Sequence, residues 1–234
     1  MLLGLVQGPA ELMPVSSSGH LMLLGSRDKA FDVFLHAGSA AAMVVSFPLP
    51  RPSVRMAATA LPAALAGLAL ERPIERRLGP RTVAFGQIAG GIALVLGDRA
   101  PERRGGNQAG LRDALLVGLA QALALVPGVS RTGAALTAAR LLGFRRDAAA
   151  QLAREAGLPV IVGATALKLA RTREARASAA HAAGFAAAFA SGLMAARLGL
   201  HRGPGPLFSP AVGAYRVALG LIVLRSMRLN GRDG

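Results

Sequence analysis

The sequence has 234 residues, of which 53% are hydrophobic and 17% are charged, with a formal net charge of +15 and no cysteine. A chain this apolar can bury enough surface to fold, which excludes disorder, and without cysteine it forms neither a disulfide framework nor a thiolate metal site. Two classes of ordered protein carry so many basic residues: nucleic-acid-binding proteins and polytopic membrane proteins.

The distribution of the basic residues separates these two classes. The 27 basic residues are all arginines except Lys29 and Lys168, and most lie in clusters between nearly uncharged stretches. Aromatic residues make up 4% of the chain, too few for stacking on bases. Arginines at the ends of apolar segments are typical of multi-pass membrane proteins, so we predict a membrane protein and no nucleic-acid partner. The apolar stretches are 37–49, 56–70, 82–97, 114–126, 157–167, 177–196 and 217–224.

Most of these stretches are shorter than the roughly 20 residues that a helix needs to cross a bilayer. Flanking arginines can lengthen a helix, because their apolar stems lie in the membrane while the guanidinium reaches the headgroups. We therefore expect the helices to include flanking residues, or to be broken or re-entrant. Basic clusters lie on both sides of 56–70, so the charge pattern does not determine the orientation. No charged residue precedes Glu11, and we expect no cleavable signal peptide.

Two segments of the chain, residues 4–19 and 118–133, resemble each other without gaps. Each contains an apolar helix too short to span a membrane, then proline, glycine and a serine-containing loop before another apolar segment. Chance similarity is common in Ala- and Gly-rich sequence, but the matches include polar positions, which favours a true repeat. The identical pairs include Gly4/Gly118, Gln7/Gln121, Ser16/Ser130 and Gly19/Gly133.

Broken helices at corresponding positions of two halves are typical of inverted repeats around a site near the bilayer midplane. We therefore predict an all-α, polytopic membrane helical bundle forming a single domain, with a re-entrant helix-loop-helix in each repeat. Its parts are repeat one (about 1–97), a polar loop (about 98–113) and repeat two (about 114–234). We expect the two serine-containing loops to face each other.

The first copy carries a cluster of polar residues. Gln7 and Glu11 are four positions apart and so share one face of a helix. An ionisable residue inside an apolar segment usually faces a cavity or a partner. A single serine would suffice to cap the next helix, so three hydroxyls and an imidazole beside a buried acid favour a polar site. These loop residues are Ser16, Ser17, Ser18 and His20.

The second copy has the features of an anion site. Gly128 and Gly133 permit close backbone approach, and the first amides of the following helix point into the loop. Arg131 offers a planar fork of donors suited to phosphate, and Ser130 and Thr132 add hydroxyls. An arginine that reaches the headgroups is the alternative, but apolar segments flank this loop on both sides. Together the two copies favour phosphoryl transfer on a lipid-borne phosphate over passive transport.

At these residues the sequence resembles the undecaprenyl-pyrophosphate phosphatase family of the bacitracin-resistance type. The family's first motif, Glu or Gln followed by Glu and a Pro-Val-Ser-Ser-Ser/Thr-Gly-His loop, is matched in full by Gln7, Glu11 and residues 14–20. The second motif, Pro-Gly-x-Ser-Arg-Ser, is matched by residues 127–131, with Thr132 in place of the last serine. The resemblance covers essentially the whole chain. Because the chain begins directly at the first motif helix, we expect a few upstream residues to be missing.

The resemblance implies a bundle of inverted repeats with two re-entrant helices. The implied reaction is hydrolysis of undecaprenyl pyrophosphate to undecaprenyl phosphate and phosphate, which recycles the lipid carrier of peptidoglycan synthesis and confers bacitracin resistance. It also implies a divalent cation, Mg²⁺ or Ca²⁺, and a multi-pass location in the bacterial plasma membrane with the site open to the extracytoplasmic side. The partners are the polyprenyl pyrophosphate and the membrane, and a homodimer is left open. A polyprenyl-phosphate transporter that uses the same site is the alternative function.

Roles can be assigned to these residues as hypotheses. Arg131 and nearby backbone amides bind the pyrophosphate, and Ser17 is the nucleophile or positions the substrate. His20 is the general acid or base, and Glu11 orients His20 or binds the cation together with Gln7. Attack by water activated by His20 or Glu11 stays open. The remaining substrate-binding residues are Ser16, Ser18, Gly128, Ser130, Thr132 and Gly133.

The sequence departs from the family pattern at several positions. Ala135 stands where the family has threonine, and Thr132 or Thr137 is expected to supply that hydroxyl. His36 replaces the usual glutamine, and its role is left open. The repeat aligns it with Glu155 of the other half, so one interpretation is that these two side chains pair. Arg154 and Glu155 occupy positions that are usually apolar.

Overall fold

The computed structural model describes residues 1–26, 28–77, 79–171, 178–201 and 210–230. These residues form α-helices joined by turns and two short 3₁₀ segments, so the predicted all-α class is confirmed for the described part of the chain. The helices are α1 (Leu2–Leu12), α2 (Ser17–Leu23), α3 (Lys29–Ser46), α4 (Val54–Arg77), α5 (Pro80–Asp98), α6 (Leu111–Ala122), α7 (Arg131–Leu141), α8 (Arg146–Arg171), α9 (Ala179–Arg197) and α10 (Pro210–Asn230).

The long helices extend beyond the apolar stretches that predicted them. The 24 residues of α4 and the 26 residues of α8 reach about 36 Å and about 39 Å, which exceeds the roughly 30 Å hydrocarbon core. Among the residues that the structure describes, three helices contain segments long and apolar enough to cross a membrane, namely Val54–Glu71, Ala179–Arg197 and Pro210–Leu229. The expectation that helices recruit flanking residues is therefore confirmed.

Four short helices form two pairs at the repeated motif. α1 and α2 have 11 and 7 residues, and α6 and α7 have 12 and 11 residues. Each pair is interrupted by a loop: residues 13–16, here called the first loop, and residues 126–130, the second loop. Helices of this length reach only about 10–18 Å, so a single one is too short to cross a bilayer.

Glycines bring the first helix of each pair close to a helix from the other half. A Cβ atom at Gly4 of α1 would lie 2.7 Å from the carbonyl oxygen of Gly184 in α9. A Cβ atom at Gly118 of α6 would lie 2.6 Å from the carbonyl oxygen of Thr59 in α4. Small residues at such contacts let membrane helices approach closely. The two halves are therefore interlocked rather than side by side.

Two arginines connect the predicted polar loop 98–113 to the helices of the bundle by hydrogen bonds. Arg140 is buried and donates hydrogen bonds to the backbone carbonyls of Phe144, Asp98 and Ala100. Arg104 makes a two-pronged pair with Asp113, at 2.8 Å and 2.7 Å from its carboxylate oxygens. The hydrogen bonds from Arg104 hold the pKa of Asp113 below its usual range. These pairs keep the loop ordered at the start of α6.

Candidate active site

The two serine-containing loops meet around a narrow polar cavity, as the repeat predicted. Residues of the first copy and of the second copy line it together, which places all five motif hydroxyls and the motif arginine at one site. Its polar lining residues are Glu11, Ser16, Ser17, Ser18, His36, Ser130, Arg131 and Thr132. Ser18 is exposed, whereas Ser16, Ser17 and Ser130 are buried.

The carboxylate of Glu11 is the centre of the polar network. Ser17 Oγ donates to Glu11 Oε2 at 2.6 Å, and Gln7 Nε2 donates to the same oxygen at 2.9 Å. His36 Nδ1 lies 3.2 Å from Oε2 and 2.8 Å from Gln7 Nε2. The predicted shared face of Gln7 and Glu11 is therefore confirmed. A hydroxyl in direct contact with a carboxylate that other residues orient is the arrangement of an activated nucleophile.

The second copy completes this network from the opposite side. Arg131 Nη1 lies 3.7 Å from Glu11 Oε1, and Thr132 Oγ1 donates to the Glu11 backbone carbonyl at 3.4 Å. Ser130 caps α7 by accepting a hydrogen bond from the Gly133 amide at 3.1 Å. The first amides of a helix have no intrahelical acceptor and attract anions. Arg131 and the start of α7 thus face the Glu11 carboxylate across the narrow cavity.

The backbone of the first loop is strained at Ser16, which has a φ of 67°. Non-glycine residues rarely adopt this left-handed conformation, and strain of this kind is concentrated at functional sites. The Ser16 carbonyl accepts a hydrogen bond from His20 Nδ1 at 2.8 Å. The His20 ring is therefore oriented by the loop backbone, whereas the imidazole that contacts Glu11 is that of His36.

Three residues around the site were not predicted from the sequence, and two of them hold the two loops together. Arg216 of α10 is buried, and its guanidinium donates to the carbonyl of Pro14 at 2.7 Å and to that of Gly128 at 3.0 Å. Gln87 of α5 accepts from Arg216 Nε at 3.0 Å and donates to the Val15 carbonyl at 2.9 Å. The third residue is Tyr215, whose hydroxyl lies 2.6 Å from His20 Nε2.

A signal for Arg216 was present in the sequence. It is a charged residue between apolar residues on both sides, and such residues usually mark a functional site in a membrane protein. The apolar stretch that the sequence predicts here is 217–224, which places Arg216 just outside it, among the arginines at segment ends. For Tyr215 and Gln87 the local sequence carries no signal.

Comparisons with known proteins identify the family of this chain. A family model described as "Bacitracin resistance protein BacA" matches residues 1–49 and 50–222. The chain belongs to the BacA family. The undecaprenyl-diphosphatase of Geobacter sulfurreducens is 40% identical over 71% of this chain and 73% of that protein. Undecaprenyl-diphosphatase 1 of Paraburkholderia xenovorans is 34% identical over 96% of this chain and 92% of that protein. The undecaprenyl-diphosphatase of Novosphingobium aromaticivorans is also 34% identical, over 96% and 95%.

The structure separates the two hydroxyls that were expected to replace the BacA-family threonine. Ala135 is fully buried in the hydrophobic core. Thr132 lines the cavity, whereas Thr137 packs against α5, 3.1 Å from the position of a Cβ atom at Gly97. Thr132 is therefore the hydroxyl available to a ligand.

The interpretation that His36 pairs with Glu155 is wrong. His36 faces Glu11. Glu155 Oε2 lies 3.5 Å from Arg55 Nη2, and Glu155 Oε1 accepts a hydrogen bond from Gln151 Nε2 at 2.8 Å. Glu155 lines a separate cleft of about 470 Å³ between α4, α6 and α8. The pairing fails because the repeat aligns sequence positions, whereas His36 of α3 lines the site cavity and Glu155 of α8 lines the separate cleft.

Proposed function

We propose that this chain hydrolyses undecaprenyl pyrophosphate to undecaprenyl phosphate and phosphate. The observation that carries the proposal is the contact of Ser17 Oγ with Glu11 Oε2 at 2.6 Å, opposite Arg131. It joins a nucleophile, a base and an anion-binding cation in one cavity. Membership of the BacA family, together with the names of its undecaprenyl-diphosphatase relatives, supports the substrate.

Ser17 is the nucleophile in the proposed reaction. Its oxygen bonds to the terminal phosphorus, the bond from that phosphorus to the bridging oxygen breaks, and undecaprenyl phosphate leaves. The Ser17 proton passes to Glu11 Oε2, which already accepts its hydrogen bond. Water then attacks the phosphorus of the phosphoserine and gives one proton to His20, which became neutral when it protonated the departing lipid phosphate. The bond from phosphorus to Ser17 Oγ breaks, Glu11 returns its proton to that oxygen, and phosphate is released. Attack by water held by Glu11 is the competing route, and replacement of Ser17 distinguishes them.

Arg131 and the start of α7 bind the pyrophosphate in this proposal. Phosphoryl transfer depends mainly on positioning and on offsetting negative charge, and a guanidinium binds phosphate oxygens through two parallel hydrogen bonds. Thr132 adds a hydroxyl at the same edge. His20 lies three residues after Ser17 on the same face of α2, and we assign it the protonation of the departing lipid phosphate.

The residues at the site fit a divalent cation, Mg²⁺ or Ca²⁺. Gln7 Oε1 is buried and has no hydrogen-bond partner in the described part of the chain, and Glu11 supplies a carboxylate beside it. Within the same described ranges no three His, Asp or Glu side chains cluster to hold a metal alone. Mg²⁺ is commonly bound by one or two carboxylates together with substrate phosphates. When bound, the cation would polarise phosphoryl oxygens, and EDTA should abolish phosphate release.

Helix directions support two inverted repeats. If α1 to α5 correspond to α6 to α10, the contact of α1 with α9 has its counterpart in the contact of α6 with α4. Helices that pair with their own counterpart must then be antiparallel. α3 meets α8 in this way, because Phe47 lies near Arg154 while Asp32 lies within electrostatic reach of Lys168.

The pair α5 and α10 has the same relation. Gly91 of α5 packs on Gly213 of α10, and Ala84, earlier in α5, packs on Gly220, later in α10. In both pairs, α3 with α8 and α5 with α10, a helix is therefore antiparallel to its counterpart in the other repeat. A two-fold axis in the membrane plane requires this arrangement. On this basis we propose that α1–α2 and α6–α7 are re-entrant and meet near the bilayer midplane.

We further propose that the chain is a multi-pass protein of the bacterial plasma membrane, that its site opens to the extracytoplasmic side, and that it confers bacitracin resistance. Because the sequence has no cysteine, a Ser18→Cys variant carries a single thiol at the exposed edge of the site. A membrane-impermeant maleimide should label it in intact cells. Labelling only after lysis would overturn the proposed orientation.

The test of activity is phosphate release from C55 or C15 isoprenyl pyrophosphate by the purified chain in detergent. Arg131→Ala and Glu11→Ala should each lose release by at least about 100-fold, the size typical of removing a positioned charge at a transition state. Arg145→Ala is the matched control, since this exposed arginine pairs only with nearby Asp147 among the described contacts. Near-normal turnover in both site variants would overturn the assignment.

A polyprenyl-phosphate transporter is the second candidate, because inverted repeats are a transporter architecture. It would move polyprenyl phosphate between the leaflets of a vesicle and release no phosphate. Ser17→Ala separates the two functions: it should stop hydrolysis, whereas a transporter would keep translocating the lipid.

A further inference from the structure

Arg216 determines where α10 lies relative to both loops. Its guanidinium and Gln87 connect carbonyls of the first and second loops. A buried arginine with this many fixed acceptors cannot rotate without breaking several hydrogen bonds at once, and each of these is worth more than a neutral one because the donor is charged. The residue before it, Tyr215, is therefore held at a defined place beside the first loop.

Tyr215 makes two contacts with His20. Its hydroxyl lies 2.6 Å from His20 Nε2. Its ring is stacked on the imidazole, with centroids 5.8 Å apart and planes inclined by 17°. The pair joins residues that are 195 positions apart in the chain. The side chain of Tyr215 is partly exposed, so burial alone does not explain why its hydroxyl points at the imidazole.

The partners of the imidazole determine its protonation pattern. The Ser16 carbonyl can only accept, so His20 Nδ1 must carry a proton for the contact at 2.8 Å to be a hydrogen bond. In the neutral ring Nε2 is then the nitrogen with the lone pair, and the Tyr215 hydroxyl donates to it. In the protonated ring Nε2 donates and the same hydroxyl accepts. One contact therefore holds His20 in either protonation state.

We propose that Tyr215 is a positioning residue for His20, holding the imidazole in one place by its hydroxyl and its ring in both protonation states. The role of His20 in the reaction rests on the proposed function. The contact itself does not, and it can be measured without any substrate. Arg216 of α10 interacts electrostatically with His20. Every variant below keeps Arg216, so this interaction is the same in all of them.

The first experiment uses the emission of the only tyrosine in a chain without tryptophan. Emission in detergent therefore reports Tyr215 alone, and a hydrogen bond from a phenol to a neutral imidazole quenches it. His20→Asn should raise the emission clearly. His181→Asn is the matched control, because His181 packs on Phe31 and Phe34 of α3, and it should leave the signal unchanged. Equal emission in wild type and His20→Asn would overturn the contact.

The second experiment measures kinetics in Tyr215→Phe, which keeps the ring and removes one oxygen. We expect kcat to fall about three- to tenfold, as loss of one hydrogen bond predicts, with KM within about twofold and the thermal midpoint unchanged. Tyr215→Leu removes the stacking too and should lower kcat further. Unchanged kcat in both variants would overturn the positioning role. If wild type releases no phosphate, the proposed function fails, while the emission result still stands.

Discussion

Replacing Gly128 with alanine tests whether the second loop must lie directly on α5. Gly128 has a φ of 92°, and a Cβ atom there would overlap the Val83 carbonyl group, with Val83 Cα at 2.9 Å. Alanine therefore brings two separate penalties, one from the left-handed backbone and one from overlap with a rigid helix. Because the overlapping atoms are backbone, the loop and not α5 has to move.

Gly25 provides a matched control for the backbone penalty. It has a φ of 84°, and a Cβ atom there would meet nothing within 4 Å. Left-handed alanine is disfavoured by about 1–2 kcal/mol, so Gly25→Ala should lower the free energy of unfolding by about that amount. Overpacking adds about 1–3 kcal/mol, so Gly128→Ala should lower it by about 2–5 kcal/mol. The difference between the two variants isolates the contact with α5.

Activity should separate the two variants more strongly than stability does. The Gly128 carbonyl accepts a hydrogen bond from Arg216 Nη2 at 3.0 Å, and Ser130 and Arg131 follow Gly128 two and three positions later in the chain. A displacement of about 1 Å at a positioning element lowers rates by about 100-fold. We expect kcat/KM for phosphate release to fall by about that factor in Gly128→Ala and by less than about twofold in Gly25→Ala. Equal losses in both variants would refute the reasoning.

Two further predictions concern single contacts. Thr132→Val should weaken substrate binding and raise KM about three- to tenfold, because one hydrogen bond to the substrate is lost. Thr137 lies outside the cavity, so Thr137→Val should leave KM unchanged, and equal effects of the two variants in steady-state kinetics would contradict the prediction. The pair of Arg104 and Asp113 should stabilise the protein in a pH-dependent way. Because the folded pKa of Asp113 is lowered, its stabilisation is fully present above the unfolded value of about 3.9 and is lost as the pH falls through the folded value. The difference in thermal midpoint between wild type and Asp113→Asn should therefore shrink below about pH 4, and a constant difference would count against the pair.

The parts of the site that the sequence predicted are those carried by local spacing. Gln7 and Glu11 share a helix face because they are four positions apart, and the first amides of α7 follow the second loop because a helix begins directly after it. The approach of the two loops followed from the repeat, since corresponding broken helices meet at one site. In each case the relevant interaction lies within a few residues or within a motif that occurs twice.

The features of the site that the sequence did not predict are single contacts between residues far apart in the chain. His36 reaches Glu11 from α3, and no spacing rule relates residues on separate helices. The interpretation that it pairs with Glu155 failed for the same reason, because alignment of the repeats says nothing about which face a helix presents. Tyr215 and His20 are further apart still, and the local sequence around either residue is compatible with many partners.

Arg216 differs from most of the arginines that give the chain its net positive charge, because it is buried beside the site and lies inside the apolar segment Pro210–Leu229, not at its end. Its acceptors are neutral oxygens, and in the described part of the chain no carboxylate lies within ion-pair distance of it. A buried cation without a counter-ion is unfavourable unless fixed dipoles or a bound anion compensate it. Here the compensating carbonyls belong to the two loops that surround the proposed pyrophosphate site. We therefore expect an anionic headgroup to bind best when both loops are held by Arg216, so substrate binding and the hydrogen bonds of Arg216 to the loops should stabilise each other.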